Sequence, residues 1–325
     1  MTYEEAKERF ELLFENKMSE DEAREFLISL YKKQEEPQEI AAAAEVMREH
    51  SIKLDLPKDL QDKLVDVVGT GGDQSGTFNI SSTVALLLAS LGVYVAKHGN
   101  RAITSKSGSA DMLEALGINL DLSLDAQKKM LEETNFCFMF AKNHHPAMKF
   151  IMPIRKSIPH RTIFNILGPL TNPAGAKRFL LGVFDKKFVP LMADALKMLG
   201  AKDAYVVSGL DGMDEISICD KTFAMDLDKN EFLISPEEFG FAKAKKEDIL
   251  GKDAKENAKI TFDIFDGKEK GAKKDAILLN AAFALKVANK VENIKDGVEM
   301  AKEVIDKKQA KRHLQKIIEI SNKLK

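Results

Sequence analysis

The sequence has little cysteine, with Cys137 and Cys219 as its two thiols in 325 residues. The two lie far apart and lack the spacing of metal ligands, so two reduced and mostly buried thiols are expected rather than a disulfide. His144, His145 and His160 do not share metal-ligand spacing on one predicted helix either, which argues against a structural zinc site. These features fit a cytoplasmic protein.

The chain also lacks an excess of charge of one sign and a long apolar run. Lysine and arginine number 49 against 51 acidic residues, a net charge of -2, so no broad attraction to nucleic acid or to an anionic membrane is expected. The longest apolar run, from Val84 to Ala96, is interrupted by Ser90 and Gly92 and falls short of the roughly 20 residues of a membrane span. The acidic, amphipathic start does not resemble a signal peptide. We therefore predict no export, no membrane association and no nucleic-acid partner.

Residues 1–64 have the pattern of helices, with apolar residues recurring at intervals of three and four. Ser19 and Glu22 have the spacing of a capping box, and Pro37 stands where a first helical turn tolerates proline. We predict a small all-helical domain made of residues 1–64 with about 147–172, because the latter stretch is proline-rich, helical in patches and able to cross over from a sheet.

Residues 65–146 and 173–325 alternate short apolar runs with helical stretches. This alternation predicts a larger α/β domain with a central, mostly parallel sheet flanked by helices. The predicted strands lie in KLVDVV, VYVAKHG, FCFMFA, FLLGVF and AYVVSG. The lysine-rich segment of residues 239–260 reads as a solvated loop and helix face, to which we assign no chemistry.

A glycine-rich stretch, VVGTGGDQSGTFNISS, joins the first predicted strand to a helix at residues 67–82. A helix N-terminus offers unpaired N–H groups and the positive end of a dipole, and glycines let an anion approach the backbone closely, so phosphate is the expected ligand. A dinucleotide fingerprint fails because Gln74 occupies the third glycine position, and a P-loop fails because no Gly-Lys-Ser/Thr follows. A glycine turn without function remains the alternative for this segment by itself.

A second polar cluster, KHGNRAITSKSGSAD at residues 97–111, again follows a strand and precedes a helix. Lys97 supplies a point charge and Arg101 a planar fork, and both suit phosphate oxygens. Hydroxyl donors are Ser105, Ser107 and Ser109. Any one of these could be an ordinary surface or capping residue, but the cluster favours an anion site. His98 could act as a general base, although a hydrogen-bonding wall residue is the interpretation we favour.

Adjacent carboxylates, Asp214 and Glu215, follow the strand AYVVSG within two glycine turns. Near a phosphate site such a pair would hold Mg²⁺, which prefers oxygen ligands and bridges to substrate phosphates. An exposed acidic turn is the alternative if the pair stands alone.

Taken together, GTGGD, TFNIS, KHGNR, SGSADxLEALG, HPAMK, RTIFNILGPLTNPA and GLDGMDEIS resemble the anthranilate phosphoribosyltransferase family. The motifs run in family order from Asp66 to Gly182 and again around residues 200–218, with a weaker echo in GKDAKENA and LLNAA. The first 62 residues match only in helical character. Three local departures, Ser82, Pro159 and GKD at 251–253, remove no ligand. The resemblance implies a Mg²⁺-dependent transfer of the phosphoribosyl group from phosphoribosyl pyrophosphate (PRPP) to anthranilate, with release of pyrophosphate, in tryptophan biosynthesis.

The resemblance also implies the site residues and the assembly. Anthranilate would lie near Gly69, His98, Asn100 and Arg155, and two Mg²⁺ ions near Ser81, Asp214 and Glu215. PRPP would be surrounded by Gly69, Gly72, Asp73, Thr77, Asn79, Ser81, Ser82, Lys97, Asn100, Arg101, Ser105 and Ser109. No catalytic acid or base is named, because an aromatic amine is already a neutral nucleophile. A homodimer through the helical domain is expected.

Two other functions remain open from the sequence. A nucleoside phosphorylase of related fold would also hold phosphate on a glycine loop, although its resemblance stops short of KHGNR with LGPLTNPA and of the acidic pair. A non-catalytic relative that binds nucleic acid should show a basic surface and broken metal residues, whereas this chain keeps Asp214 and Glu215 at a net charge of -2.

Overall fold

The computed structural model describes residues 1–102 and 106–324, and these begin with a set of helices. Ser19 caps the second helix in a capping box with Glu22, and Pro37 lies in the first turn of the third, both as predicted. The helices of this part are α1 (Tyr3–Phe14), α2 (Glu20–Lys33), α3 (Pro37–Glu49) and the short α4 (Lys58–Gln61).

A seven-stranded sheet forms the centre of the rest of the chain, in the order β3-β2-β1-β4-β5-β6-β7. The first five strands in sequence pair with one another in parallel, whereas β6 and β7 add an antiparallel hairpin at one edge. The predicted fold class, a small helical part with a larger α/β part built on a mostly parallel sheet, is thus confirmed. The strands are β1 (Val65–Gly69), β2 (Val95–Gly99), β3 (Phe136–Phe140), β4 (Arg178–Gly182), β5 (Asp203–Gly209), β6 (Thr222–Asp226) and β7 (Glu231–Ile234).

Helices pack against this sheet. The helices between the strands are α5 (Ile80–Ser90), α6 (Ser109–Ala115), α7 (Leu124–Thr134), α8 (Ala141–His144), α9 (Met148–Ser157), α10 (Phe164–Leu167) and α11 (Phe188–Met198), and those after the sheet are α12 (Ala254–Phe265), α13 (Ala272–Val287), α14 (Ile294–Asp306) and α15 (Gln309–Lys323). Helices α5 and α13 are buried along most of their length. Within the described ranges no helix has the length and apolar character needed to cross a membrane.

The sheet has a switch point between β1 and β4. From β1 the chain proceeds to β2 and β3 on one side, while β4 leads to β5 on the other. In open α/β sheets ligands bind outside the carboxyl ends of the strands where the strand order reverses. Gly69 and Gly182 are paired at those ends of β1 and β4, which places the expected binding crevice directly above them.

The stretch between β3 and β4 leaves the sheet and packs on the N-terminal helices. Helix α9 contacts α1 and α2, and α10 contacts α3. Cys137 is buried in β3, Cys219 is partly buried, and both are free thiols.

Candidate functional site

The loop after β1 has a backbone that requires glycine. Gly71, Gly72 and Gly76 have φ values of 67°, 77° and 70°, in the left-handed region where side chains are strained. Gln74 also adopts a positive φ, of 53°. The loop then leads into α5 at Asn79, which gives the strand, turn and helix order expected of an anion-binding loop.

The loop after β5 lies directly on the ends of β1 and β4. A Cβ atom at Gly69 would stand 2.1 Å from Oδ2 of Asp214, and one at Gly182 would stand 1.5 Å from the Asp214 backbone oxygen. The backbone N–H of Gly71 donates a hydrogen bond to the Asp214 carboxylate at 2.7 Å. The strand-end glycines therefore make the space in which Asp214 sits above the switch point.

Three carboxylates meet at this point: those of Asp73, Asp214 and Glu215 have oxygens within 4.8 Å of one another. Asp73 Oδ2 and Glu215 Oε2 are buried and have no hydrogen-bond partner among the described residues. Burial, reinforced by the Asp73 charge, raises the pKa of Asp214 to about 7. Burial and then the charges of Asp214 and Asp73 raise the pKa of Glu215 well above its ordinary value. A hard divalent cation would relieve this repulsion and satisfy the free oxygens, so the donor set fits Mg²⁺.

Asp73 is a member of this cluster to which the sequence gives a different role. The sequence predicts it among the phosphate contacts, whereas the structure places its carboxylate with the acidic pair. Ser81, which the sequence predicts as a metal ligand, lies beside the cluster, because its backbone N–H stabilises the charged form of Glu215. The order of the strands could have indicated the approach of Asp73, since loops after parallel strands meet at one edge of a sheet.

Lys97 lies beneath the cluster and not on the surface. Its side chain is 1% exposed, and its ammonium donates to the Val67 carbonyl at 2.7 Å and to Ser81 Oγ at 3.2 Å. Burial lowers the pKa of Lys97, while the charges of Asp66 and then Glu215 oppose that shift. The lysine nitrogen thus links the end of β1 to Ser81 below the carboxylate cluster.

His98 is held by hydrogen bonds at both ring nitrogens. Its Nδ1 lies 3.1 Å from the Gly168 carbonyl and its Nε2 lies 3.2 Å from Nε2 of His145. Because a carbonyl only accepts, Nδ1 of His98 carries the hydrogen and Nε2 accepts from His145. Burial lowers the pKa of His98 well below its ordinary value and that of His145 to about 4. Both rings are therefore neutral near pH 7. His98 is a weak base with both nitrogens engaged in hydrogen bonds, which suits a wall better than a general base.

The predicted phosphate contacts of residues 97–111 fall into two groups. Ser107 donates to Asn79 Oδ1 at 3.0 Å, and Asn79 Nδ2 donates to the Ser107 carbonyl at 3.2 Å, so this cluster is joined to the start of α5. Arg101 instead pairs with Asp111 at 2.9 Å and Glu114 at 2.6 Å. Asp111 and Glu114 of helix α6 already pair with the Arg101 guanidinium, so a phosphate contact would require these two ion pairs to break.

The other predicted phosphate residues differ in exposure. Gly72 and Asn100 are exposed, and Asn100 accepts from the Arg101 backbone at 2.8 Å. Thr77 Oγ1 lies 3.1 Å from Ser75 Oγ. Ser82 is fully buried, and its hydroxyl has no partner among the described residues. Ser109 begins α6 beside Gly99, and Ser105 lies outside the described residues.

Arg155 stands on α9 without a carboxylate partner among the described residues. Its guanidinium contacts Met152 Sδ at 3.5 Å and lies 5.2 Å from the centre of the Phe164 ring. Burial lowers the pKa of Arg155. A partly buried guanidinium in apolar surroundings gains much from a carboxylate ligand.

The segment predicted to be solvated, residues 239–260, contributes to the site, so that prediction is wrong in part. Ile249 is buried, and the Gly251 backbone N–H donates to the Gly76 carbonyl at 2.9 Å. Asn257 is 2% exposed and donates to Asn79 Oδ1 at 2.8 Å. The many lysines of this stretch favour the solvated interpretation, and its inward-facing residues have no periodic pattern, although Asn257 falls in GKDAKENA, the weak echo of the family.

Comparison with known proteins agrees with this geometry. The chain matches the glycosyl transferase family a/b domain over residues 61–311 and the helical bundle domain of the same family over residues 1–51. A curated anthranilate phosphoribosyltransferase of Methanobrevibacter smithii is 47% identical over 308 residues, which cover 94% of this chain and 90% of the relative. That of Persephonella marina is 43% identical, with 99% and 95% covered.

Solved structures show the same likeness. The crystal structure of anthranilate phosphoribosyltransferase from Thermus thermophilus has a TM-score of 0.94 at 39% identity, covering 99% of this chain and 96% of that one. The enzyme of Saccharomyces cerevisiae in complex with PRPP and Mg has a TM-score of 0.87 at 30% identity, covering 94% and 86%. The same yeast enzyme has also been solved with 4-fluoroanthranilate. The fold, the carboxylate cluster and these relatives together show that the chain belongs to the anthranilate phosphoribosyltransferase family.

Proposed function

We propose that this chain transfers the phosphoribosyl group of PRPP to the amine of anthranilate, with release of pyrophosphate, as a step of tryptophan biosynthesis. The observation that carries the proposal is the cluster of Asp73, Asp214 and Glu215 on the glycine loop above the switch point. Phosphate-binding backbone and a cation site within a few ångströms suit a substrate that carries a diphosphate.

The PRPP site would be built from the two loops that follow β1 and β2. Backbone N–H groups near Gly69 and Gly72 and the start of α5 would face the diphosphate. The other residues proposed for PRPP are Asp73, Thr77, Asn79, Ser81, Ser82, Lys97, Asn100, Arg101, Ser105 and Ser109. Of these, Ser82 and Lys97 are buried and would have to become accessible. Arg101 would have to break its ion pairs with Asp111 and Glu114 to reach the ligand.

Mg²⁺ would be held by Ser81, Asp214 and Glu215, with Asp73 facing the same space. When bound, Mg²⁺ would neutralise the charge that develops on the departing pyrophosphate. The chain's own contribution is to hold these carboxylates together against their repulsion: Gly71 donates to Asp214, and Lys97 lies below the cluster. We propose that two Mg²⁺ ions bind at this site.

Anthranilate would bind between Gly69, His98, Asn100 and Arg155. Arg155 would pair with its carboxylate, and the neutral ring of His98 would form a wall beside it. An arylamine has a free electron pair at neutral pH, so the chain needs to position the amine and need not remove a proton before attack. We propose no catalytic acid or base.

The assembly completes the proposal. Helices α9 and α10 pack on α1, α2 and α3, which supports grouping about residues 147–172 with residues 1–64, and residues 65–146 with 173–325. We also propose a homodimer through the helical domain and a cytoplasmic location, in keeping with a biosynthetic reaction on small charged substrates.

Identification of the product tests this function. Incubation of the protein with anthranilate, PRPP and Mg²⁺ should give phosphoribosyl anthranilate and pyrophosphate by mass spectrometry. Transfer of ribose from a nucleoside to phosphate, without reaction on anthranilate, would instead identify a nucleoside phosphorylase. Salt-dependent binding to DNA without turnover would favour the nucleic-acid-binding alternative.

A further inference from the structure

Asn280 lies in the middle of helix α13, far along the chain from every residue assigned to the site. It is 2% exposed, in a helix that is apolar on nearly all sides. A polar side chain in such a place is costly unless its hydrogen bonds are made. Its position therefore calls for a specific partner.

That partner is the residue after the acidic pair. Asn280 Oδ1 accepts from the Ile216 backbone N–H at 3.0 Å, and Asn280 Nδ2 donates to the Ile216 carbonyl at 2.8 Å. The second hydrogen of Nδ2 goes to the Ala276 carbonyl at 2.9 Å, within the same helix. Both ends of the amide are thus used.

This pairing fixes the peptide planes on both sides of Ile216. Its N–H belongs to the peptide bond with Glu215, so the asparagine restrains the main chain from which the Glu215 carboxylate projects. The side-chain amide thus pairs with both the N–H and the carbonyl of Ile216, as the main chain of a neighbouring β-strand would. A carboxylate in its place would have no hydrogen to donate, and a glutamine would be one methylene too long.

The other side of the same loop is braced separately. Ser217 Oγ donates to Asp211 at 2.6 Å, and the Ser217 backbone donates to Thr222 at 2.9 Å. The acidic pair therefore lies between a local turn and the amide of α13. We propose that Asn280 is a positioning residue for the metal site, which holds the carboxylates of Asp214 and Glu215 together for a divalent cation and its diphosphate ligand.

Asn257 provides a matched comparison. It is also 2% exposed and lies on a helix of the C-terminal part, but it holds the phosphate loop: it donates to Asn79 at 2.8 Å and accepts from the Lys252 backbone at 3.0 Å. Alanine at either position removes the same atoms and leaves buried polar groups unpaired. The two variants should therefore lose similar stability but affect different parts of the site.

The inference rests on the proposed function, because it assumes the cation site. Its test measures binding of Mn²⁺, a paramagnetic substitute for Mg²⁺, to the full chain by electron paramagnetic resonance, with and without pyrophosphate. Residues that orient metal ligands contribute about 10- to 100-fold in metal affinity, so Asn280→Ala should bind Mn²⁺ at least about tenfold more weakly, and excess Mg²⁺ should restore part of its turnover. Asn257→Ala should keep its Mn²⁺ affinity within about twofold without pyrophosphate while its KM for PRPP rises.

Equal thermal destabilisation of the two variants with unchanged Mn²⁺ affinity in Asn280→Ala would show a structural role only and overturn the inference. So would a wild-type protein that binds Mn²⁺ no better than Asp214→Ala. Should Asn280→Ala fail to fold, Asn280→Ser keeps one hydrogen-bonding group and should give an intermediate Mn²⁺ affinity, while an unchanged value would contradict the role. Mn²⁺ binding needs no anthranilate, so the two claims can fail separately. If the protein shows no transfer reaction but its Mn²⁺ affinity depends on Asn280, the proposed function is contradicted and this inference still stands.

Discussion

The backbone N–H of Gly71 donates a hydrogen bond to the Asp214 carboxylate at 2.7 Å, across a separation of 143 residues. One residue belongs to the loop after β1 and the other to the loop after β5, so the contact joins the expected phosphate site to the expected cation site. A substitution that alters the conformation of either loop should therefore alter the conformation of the other.

Gly182 should not tolerate a side chain. A Cβ there would lie 1.5 Å from a backbone oxygen of Asp214, which cannot rotate away. Gly182→Ala should destabilise the protein by about 1–3 kcal/mol or more and weaken cation binding. Gly168→Ala is the control, because a Cβ there meets nothing within 4 Å, and it should stay within about 0.5 kcal/mol of wild type. Urea unfolding measures both, and equal stabilities would contradict the close packing of Asp214 on β4.

Removing the charges of the acidic pair should abolish turnover without harming the fold. The isosteric double variant Asp214→Asn with Glu215→Gln should lose at least about 100-fold in kcat/KM. Its melting temperature without Mg²⁺ should not fall, because buried like charges repel. Asp220→Asn, a nearby acid paired with Lys243 at 3.4 Å, should keep its activity. Wild-type turnover in the double variant would refute the metal role.

The acidic pair should make stability depend on pH in a defined direction. Burial raises the pKa of Asp214 to about 7 and that of Glu215 well above its ordinary value, so the folded state holds protons that the unfolded state has released. As pH rises from about 4 to about 7, the unfolding free energy of the metal-free wild type should fall relative to that of the double variant. Mg²⁺ binds the ionised form and should raise the wild-type melting temperature more at about pH 8 than at about pH 5. Thermal scans with and without Mg²⁺ check both expectations. A stability of the metal-free wild type that rises with pH relative to the double variant would contradict the raised pKa values of Asp214 and Glu215.

Arg155 should contribute to the binding of anthranilate and much less to that of PRPP. Arg155→Ala removes the guanidinium that has no carboxylate partner among the described residues, so the KM for anthranilate should rise at least about tenfold and that for PRPP much less. Lys156→Ala, an exposed neighbour on the same helix, should leave both values unchanged. Steady-state kinetics with each substrate varied in turn gives the answer, and equal rises in both KM values would remove Arg155 from the anthranilate site.

The parallel strands could be predicted from the sequence, whereas the edge hairpin could not. Strands β1 to β5 are nearly all buried, so each reads as a short apolar run that ends at glycine or at a helix. Strand β7, Glu231–Ile234, is mostly exposed and contains polar residues, as edge strands often do. Its turn uses Lys229 at a φ of 66° instead of glycine, so the usual hairpin pattern is missing.

Site residues next to a motif could be found in the sequence, but contacts between distant segments could not. Gly69, Lys97 and Asp214 belong to recognisable motifs. The approach of Asp73 to Asp214 depends on the strand order. The ion pairs of Arg101 with Asp111 and Glu114 of α6 depend on local geometry that a basic residue in a motif does not reveal. Asn280 falls in LLNAA, a weak echo of the family's motifs, but nothing in the sequence indicates that its amide pairs with the main chain of Ile216.

The most direct test of the account is the fluorescence of anthranilate in a mixture with the purified protein, PRPP and Mg²⁺. We predict a steady loss of fluorescence that needs all three additions, stops when Mg²⁺ is chelated and is absent in the Asp214→Asn, Glu215→Gln variant. Fluorescence that stays constant with the wild-type protein, or that falls equally with the variant, would contradict the account.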